Sequence, residues 1–155
     1  MGNLGLARNK RYHQGYYYPK NKDKFVGGQY AIYRSGLELA YFKFLDENAK
    51  CLKWGSENFT VPYYFEVDKK WHRYYIDLVA VFEDKGKLCK YLIEIKPERQ
   101  TKKPAPSNRK RRSTLLSEQV MYDRNQAKWE AADKFAKSQG FKFVVLTEKN
   151  IGYGY

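Results

Sequence analysis

The sequence predicts an α/β (α+β) protein in which a central mixed β-sheet is flanked by helices. Two observations predict this class: apolar residues repeat at helical spacing in two segments, and four other segments are rich in β-branched and aromatic residues. These segments run helix, three strands, helix, strand, without an internal repeat. A chain of 155 residues with 43% hydrophobic residues fits a single domain with its own core and excludes wholesale disorder.

The first helix is predicted over residues 35–49, with Ser35 as its N-cap. Its apolar positions follow i, i+3, i+4, i+7 and i+8: Leu37, Ala40, Tyr41, Phe44 and Leu45. Residues 1–30 hold scattered Gly, Asn and Lys without a period, which is typical of an irregular segment. We therefore expect a basic, Tyr-rich N-terminal arm over residues 1–32.

The remaining elements follow from composition and breakers. Strands are predicted at residues 58–67, 71–83, 88–96 and 141–147. A long second helix is predicted over residues 114–139 and ends at Gly140. The basic loop 97–113 before it contains three prolines. Trp54, Trp71 and Trp129 are predicted to lie in the core.

The net charge of +13 is concentrated in two segments. Residues 1–34 carry a net +6 and residues 96–112 a net +7, whereas the rest of the chain is nearly neutral. This distribution is more typical of a polyanion-binding protein than of an evenly solvated surface. The tyrosines of the first segment either stack on unpaired bases or fold back onto the core.

Composition also argues against several other classes. No apolar run approaches the ~20 residues of a membrane span. The basic N-terminus lacks the apolar stretch of a signal peptide. We therefore expect neither a membrane span nor a signal peptide. Cys51 and Cys89 are too few for a disulfide framework or a four-cysteine zinc site, and they fit a reducing cytosol.

A predicted hairpin brings acidic residues together. If its turn is centred between Lys85 and Gly86, then Asp77 lies directly opposite Glu94, and Tyr75 opposite Lys96. The other face of the hairpin is apolar and is predicted to be core: Ile76, Leu78, Ala80 and Phe82 against Cys89, Tyr91, Ile93 and Ile95.

Two opposed carboxylates repel each other and require a compensating cation. Lys96, two residues beyond Glu94, is one candidate, and a divalent metal such as Mg²⁺ is another, because hard ions prefer carboxylate oxygen. On the first helix, Glu38 either closes a capping box with Ser35 or leans from the apolar stripe toward the sheet.

Other polar residues are auxiliary candidates. Asn125 and Lys128 interrupt the apolar stripe of the second helix, where they face the active site or a phosphate, or Lys128 extends from the edge of the core. His72 is either a phosphate contact or a structural hydrogen-bonding residue. Tyr75, placed by the hairpin register opposite Lys96, is a further candidate. Expected DNA contacts are Lys102, Lys103, Arg109, Lys110, Arg111 and Arg112 in the loop, and Arg8, Lys10 and Arg11 in the arm.

Glu38, Asp77 and the Glu94-x-Lys96 pair resemble the motif of the PD-(D/E)xK nuclease superfamily. The closer resemblance is to the head completion nucleases of contractile-tailed phages, which are related to the endonuclease subunit of Tn7-type transposases. It runs from about Tyr33 to Ile151. The segments that carry it are residues 33–46, 71–78, 90–104, 125–136 and 140–151. The chain departs from the family pattern at three positions. Gly36 stands where a larger residue is common and Leu37 where an aromatic is usual, which affects helix packing more than chemistry. Ile76 stands where the motif name has proline.

The resemblance implies a restriction-endonuclease-like fold over residues 33–155 and four catalytic residues: Glu38, Asp77, Glu94 and Lys96. It implies Mg²⁺, replaceable by Mn²⁺, held by the three acids and the backbone carbonyl of Ile95. It also implies cleavage of packaged DNA ends before tail joining, in the host cytoplasm during phage assembly or on the virion.

Two alternatives stay open. The first is a non-catalytic DNA-binding or virion assembly protein on the same fold. In the second, residues 109–112 grip an acidic portal or neck protein instead of DNA.

Overall fold

A computed structural model describes residues 14–151, where eight strands and two α-helices form the fold. In chain order the elements are β1 (Gly15–Tyr17), β2 (Ala31–Tyr33), α1 (Gly36–Glu47), β3 (Cys51–Ser56), β4 (Thr60–Phe65), β5 (Lys70–Tyr75), β6 (Leu78–Asp84), β7 (Lys87–Ile95), α2 (Arg112–Ser138) and β8 (Lys142–Leu146). Over these residues, neither helix has both the length and the apolar character needed to cross a bilayer.

The central sheet has four strands in the order β3–β6–β7–β8. β3, β6 and β7 pair antiparallel, whereas β8 runs parallel to β7. A parallel neighbour requires a long crossover connection, and α2 provides it. Two separate ribbons, β1–β2 and β4–β5, lie outside this sheet. The mixed sheet predicted from the sequence is therefore confirmed.

Both faces of the central sheet are covered. On one face, Leu78, Ala80 and Ile93 pack against the apolar residues of α1. On the other, Val79 and Leu92 pack against α2 and the β4–β5 ribbon. Neighbouring strand residues point to opposite faces, so an apolar run in β6 fits burial on both sides.

The hairpin register is confirmed from Asp84 to Leu78, where Asp84 pairs with Lys87 and Leu78 with Ile93. Lys85 and Gly86 form its two-residue turn, both with positive φ (50° and 79°). A type I′ turn requires positive φ at both of its central residues, and its twist matches that of the two strands it joins.

The predicted strand 71–83 is wrong at its centre. The chain forms β5, leaves it at Ile76 and Asp77, and then enters the central sheet as β6. Ile76 therefore packs in the α2-side core, and not beside Leu78 as predicted. Trp71, predicted to be core, is 70% exposed on the outer face of the ribbon, whereas Trp54 is fully buried.

Helix α1 begins after Ser35, whose side chain accepts a hydrogen bond from the backbone N–H of Glu38. The predicted apolar stripe is correct except at one position. Phe44 is 42% exposed, and Phe42 is buried in its place. The end of α2 agrees with the prediction, because Gly140 (φ 77°) follows it in a left-handed conformation.

Part of the predicted irregular arm is ordered against the body. Strands β1 and β2 pair antiparallel, and Tyr17 is buried with a hydrogen bond of 2.6 Å to Asp46 of α1. For Tyr17, folding back onto the core is therefore the correct alternative. The proposed boundary between residues 32 and 33 stays a prediction.

Candidate active site

Asp77 lies at the junction where the chain passes from the β4–β5 ribbon into the central sheet. Its Oδ2 accepts a hydrogen bond of 2.8 Å from the backbone N–H of Ile95. Its own carbonyl accepts one from the N–H of Glu57. The expected ladder pairing of Asp77 with Glu94 is absent from the described strands, because β6 begins one residue later. Asp77 instead reaches the end of β7 through its side chain.

Tyr75 does not face Lys96, contrary to the prediction from the hairpin register. It pairs with Thr60 in the separate ribbon, and its side chain is 52% exposed. The cause is the break at Asp77, which directs β5 away from β7.

Glu94 is buried in the middle of the site, with 5% of its surface exposed. The hydroxyl of Tyr74 donates a hydrogen bond to its Oε2. Lys96 Nζ lies 3.8 Å from its Oε1. The Tyr74 hydroxyl and the Lys96 ammonium thus lie on different oxygens of the Glu94 carboxylate.

Glu38 does not close the predicted capping box, because no hydrogen bond joins its carboxyl to the Ser35 N–H among the described residues. Its Oε2 accepts a hydrogen bond of 3.2 Å from the backbone N–H of Arg34, one residue before the N-cap, which is a cap contact. The same carboxyl interacts electrostatically with Asp77, Glu94 and Lys96. The first turn of α1 therefore presents its acid toward the end of the sheet.

The electrostatics of the acids reflect burial and crowding. Burial raises the pKa of Asp77 to about 7, with a further increase from Glu38, against the opposing Ile95 hydrogen bond and Lys96 charge. Burial likewise raises the pKa of Glu94 to about 7, although Lys96 and Lys128 oppose it. Burial also raises the pKa of Glu38. Such clustered shifts are typical of functional sites.

The chemistry of this donor set fits a hard divalent cation. Three carboxylates and a backbone carbonyl are oxygen ligands of the kind that Mg²⁺ prefers. An added cation would also relieve the mutual repulsion that adds to the effect of burial on these pKa values. Within residues 14–151, no three acidic, His or Cys side chains are already gathered tightly enough to hold an ion.

Of the auxiliary candidates, Lys128 and Asn125 lie beside the site. Lys128 Nζ stacks over the Tyr74 ring at 5.5 Å and interacts electrostatically with Glu94. Asn125 is buried on the same helix and lines a cleft that also includes Lys96. His72, by contrast, bonds to Asp68 (2.7 Å) and stacks on Tyr63, which supports its structural alternative.

The basic residues of the loop divide into two groups. Lys102 and Lys103 line the cleft beside Lys96, as does Lys110, whose ammonium is paired with Glu118 at 2.8 Å. Arg109, Arg111 and Arg112 are exposed at the start of α2. Arg8, Lys10 and Arg11 lie outside the described residues.

Sequence reasoning did not identify three participants. Tyr74 contacts Glu94, and Arg34 bonds to Glu57 Oε1 at 2.6 Å. Glu57 in turn raises the pKa of Asp77 and Glu38. All three residues lie at or next to the ends of strands. The alternation of apolar and polar residues along a strand does not predict contacts at such positions. The one available signal is that Arg34 immediately precedes the Ser35 cap.

Similarity to known proteins agrees with this geometry. Residues 48–148 match the family described as TnsA-like endonuclease N terminal. The chain is also 34% identical over 143 residues to the head completion nuclease of Enterobacteria phage T4, covering 90% of this chain and 93% of that protein. The resemblance and the restriction-endonuclease-like fold predicted from the sequence are thereby confirmed. With a mixed sheet, two flanking helices and clustered acids, the chain belongs to the TnsA-like endonuclease family.

Proposed function

We propose that this chain is a metal-dependent endonuclease that hydrolyses DNA phosphodiester bonds with little sequence preference. One observation carries the proposal: Glu38, Asp77 and Glu94 each interact electrostatically with Lys96 at one end of the central sheet. Membership of an endonuclease family and the adjoining cationic loop support it. The phosphate contacts of such a loop position DNA without specifying its sequence.

In this proposal Asp77, Glu94 and the backbone carbonyl of Ile95 hold Mg²⁺ or Mn²⁺. Glu38 completes the site directly or through water. When bound, such an ion polarises a phosphodiester oxygen and lowers the pKa of a water molecule.

The chain's own side chains have separate tasks. Lys96, with 24% of its side chain exposed, orients the attacking water and stabilises the negative charge that develops on the phosphate. Tyr74 holds the Glu94 carboxylate in one orientation through its hydroxyl. The products are a 5′-phosphate and a 3′-hydroxyl.

The biological role is proposed from the phage T4 relative, which is named for head completion. By this analogy, the chain processes packaged DNA ends before tail joining, in the host cytoplasm during phage assembly or on the virion. Portal or neck proteins are its proposed protein partners.

Cleavage of a supercoiled plasmid tests the proposal. We expect nicked and linear products with Mg²⁺ or Mn²⁺ and none with EDTA, while DNA binding in a mobility-shift assay persists in EDTA. Cleavage that is unaffected by EDTA would contradict metal dependence. DNA binding without cleavage under every metal condition would instead favour the non-catalytic alternative.

A further inference from the structure

A cleft of about 620 Å³ lies between the basic loop and the first half of α2. Lys96 lines it, so the cleft opens directly beside the candidate catalytic group. Its volume is within the range of small-ligand sites, about 300–1,000 Å³. A space of this size accommodates a unit such as one nucleotide.

The cleft is positively charged. Lys110 Nζ ties the loop to α2 through Glu118 Oε2 (2.8 Å) and the Ala105 carbonyl (3.1 Å), which neutralises the acid in the lining. Arg99 and Lys103 have no ion pair within residues 14–151, and both line the cleft. These free cations match a phosphate group.

The other side of the cleft is suited to a base. Asn125 is only 3% exposed, and its carboxamide has no hydrogen-bond partner among the residues that the structure describes. Its amide atoms are not enclosed by protein, so the carboxamide reaches the cleft and has both a donor and an acceptor to offer a ligand there. Tyr122, one turn earlier on the same helix face, adds a half-buried ring to the lining.

We infer that this cleft holds one unpaired nucleotide of the DNA substrate, next to the phosphate that is cut. Arg99 and Lys103 bind its phosphate, Tyr122 stacks on its base, and Asn125 bonds to the base edge. A base inside an intact duplex is already stacked and paired, so it offers neither its face nor its Watson–Crick edge. The substrate class is therefore DNA with an unpaired nucleotide, such as a single-stranded end, flap or gap. This inference rests on the proposed nuclease function.

Binding measured in EDTA tests the inference independently of cleavage. The probes are deoxynucleoside monophosphates and inorganic phosphate, each titrated into the full chain by calorimetry. We expect the monophosphates to bind at least tenfold more tightly than phosphate. Equal affinity for the two probes, or binding of neither, would overturn the inference while leaving plasmid cleavage unaffected.

Variants on one helix separate base recognition from phosphate recognition. Asn125→Ala and Tyr122→Ala should each weaken monophosphate binding at least fivefold without changing phosphate binding, whereas Tyr122→Phe keeps the ring and should bind normally. Gln126→Ala, at the exposed neighbouring position, is the matched control. A similar loss in Gln126→Ala, or no loss in the two alanine variants, would contradict the assignment. If a variant does not fold, the comparison of monophosphate and phosphate binding to the unsubstituted chain still tests whether the cleft holds a nucleotide.

Discussion

Tyr74 of β5 donates its hydroxyl hydrogen to Oε2 of Glu94 of β7, which joins two strands that belong to different sheets. The contact is buried and bridges the β4–β5 ribbon and the central sheet. Because a hydrogen bond to the ionised carboxylate stabilises that form, it opposes the effect of burial on the pKa of Glu94. The ribbon thus contributes to the electrostatics of the site as well as to the core.

Removing this donor should shift the pH dependence of cleavage. In Tyr74→Phe the ionised form of Glu94 loses a hydrogen bond, so its pKa rises above the wild-type value of about 7. Ligation and catalysis require the ionised form, so the acidic limb of the rate profile should move to higher pH by roughly 0.5–1 unit. Initial nicking rates between pH 5.5 and 9 measure this. Tyr64→Phe, on the exposed face of the same ribbon, is the control, and an unmoved limb in Tyr74→Phe would refute the role.

Glu94→Gln and Lys96→Ala should abolish nicking with little effect on DNA affinity. The first removes a charged ligand, and the second removes the cation that stabilises the developing charge, for which losses of about 10²–10³ are usual. Glu130→Gln changes the same residue type at an exposed position of α2 and should be fully active. Normal nicking by either site variant would remove that residue from the catalytic set.

The stability of the metal-free protein should increase when Asp77 is replaced by Asn. The pKa of Asp77 is about 7 in the folded chain, against an ordinary 3.8, so the folded state retains a proton that the unfolded chain has released. This favours folding at low pH and is lost as pH rises from about 4 through 7. At pH 8 the substitution removes this penalty, about 1–3 kcal/mol, while an amide oxygen can still accept from Ile95.

Melting temperatures in EDTA at pH 5 and pH 8 measure this effect. A change of 1 kcal/mol moves Tm by about 2–4 °C in a domain of this size. We expect a clear increase for Asp77→Asn at pH 8 and a smaller one at pH 5. Asp133→Asn, an exposed acid paired with Lys137, serves as control. A lower Tm at pH 8 would mean that Asp77 is structurally stabilising.

The parts of the fold that local chemistry determines were predictable. The turn at Lys85 and Gly86, the Ser35 cap and the Gly140 helix end all depend on residues adjacent in sequence. The pairing of Glu94 with Lys96 follows from period-two spacing within one strand. These features need no knowledge of distant contacts.

The rest depends on contacts that sequence patterns do not encode. Strand β3 was not predicted because it contains Gly55, a weak strand former. A Cβ there would lie 2.5 Å from the Val26 carbonyl, so the glycine permits a close approach of two segments. The sequence also gives no sign of the break between β5 and β6 at Asp77, because the residues around it form a continuous run typical of one strand. The contact of Tyr74 with Glu94 is a consequence of that break.

The exposed arginines at the start of α2 should determine part of the salt dependence of DNA binding. Each phosphate contact contributes about 0.9 to the slope of log affinity against log salt on duplex DNA. Arg109→Ala combined with Arg112→Ala should lower this slope by roughly 1.8 between 50 and 300 mM salt. Lys134→Ala combined with Lys137→Ala, at the far end of the helix, should leave it unchanged. Equal effects of the two pairs would indicate diffuse attraction. No effect of the first pair would favour a protein partner for residues 109–112.

Asp46 should be a major determinant of stability through the segment that it holds. It is fully buried on α1, and its carboxylate accepts hydrogen bonds from the Tyr17 hydroxyl (2.6 Å), the Lys20 N–H (2.8 Å) and the Asn21 N–H (3.2 Å). Burial alone would raise its pKa, but these bonds and the Lys24 charge prevail and lower it. Its contribution is therefore present above the unfolded pKa and is lost as pH falls through the lower folded value.

Asp46→Ala leaves a buried hydroxyl and two backbone donors without their acceptor. Leaving donors to a charged group unsatisfied costs about 3 kcal/mol, which corresponds to a decrease in Tm of roughly 6–12 °C at pH 7. Glu47→Ala, at the next position, removes only an exposed ion pair with Lys20 and should change Tm by no more than about 2 °C. Calorimetric melting at pH 7 compares the two variants. Equal, small changes in Tm for the two variants would contradict this prediction. They would mean that residues 17–21 do not stabilise the rest of the domain and behave as a separate arm.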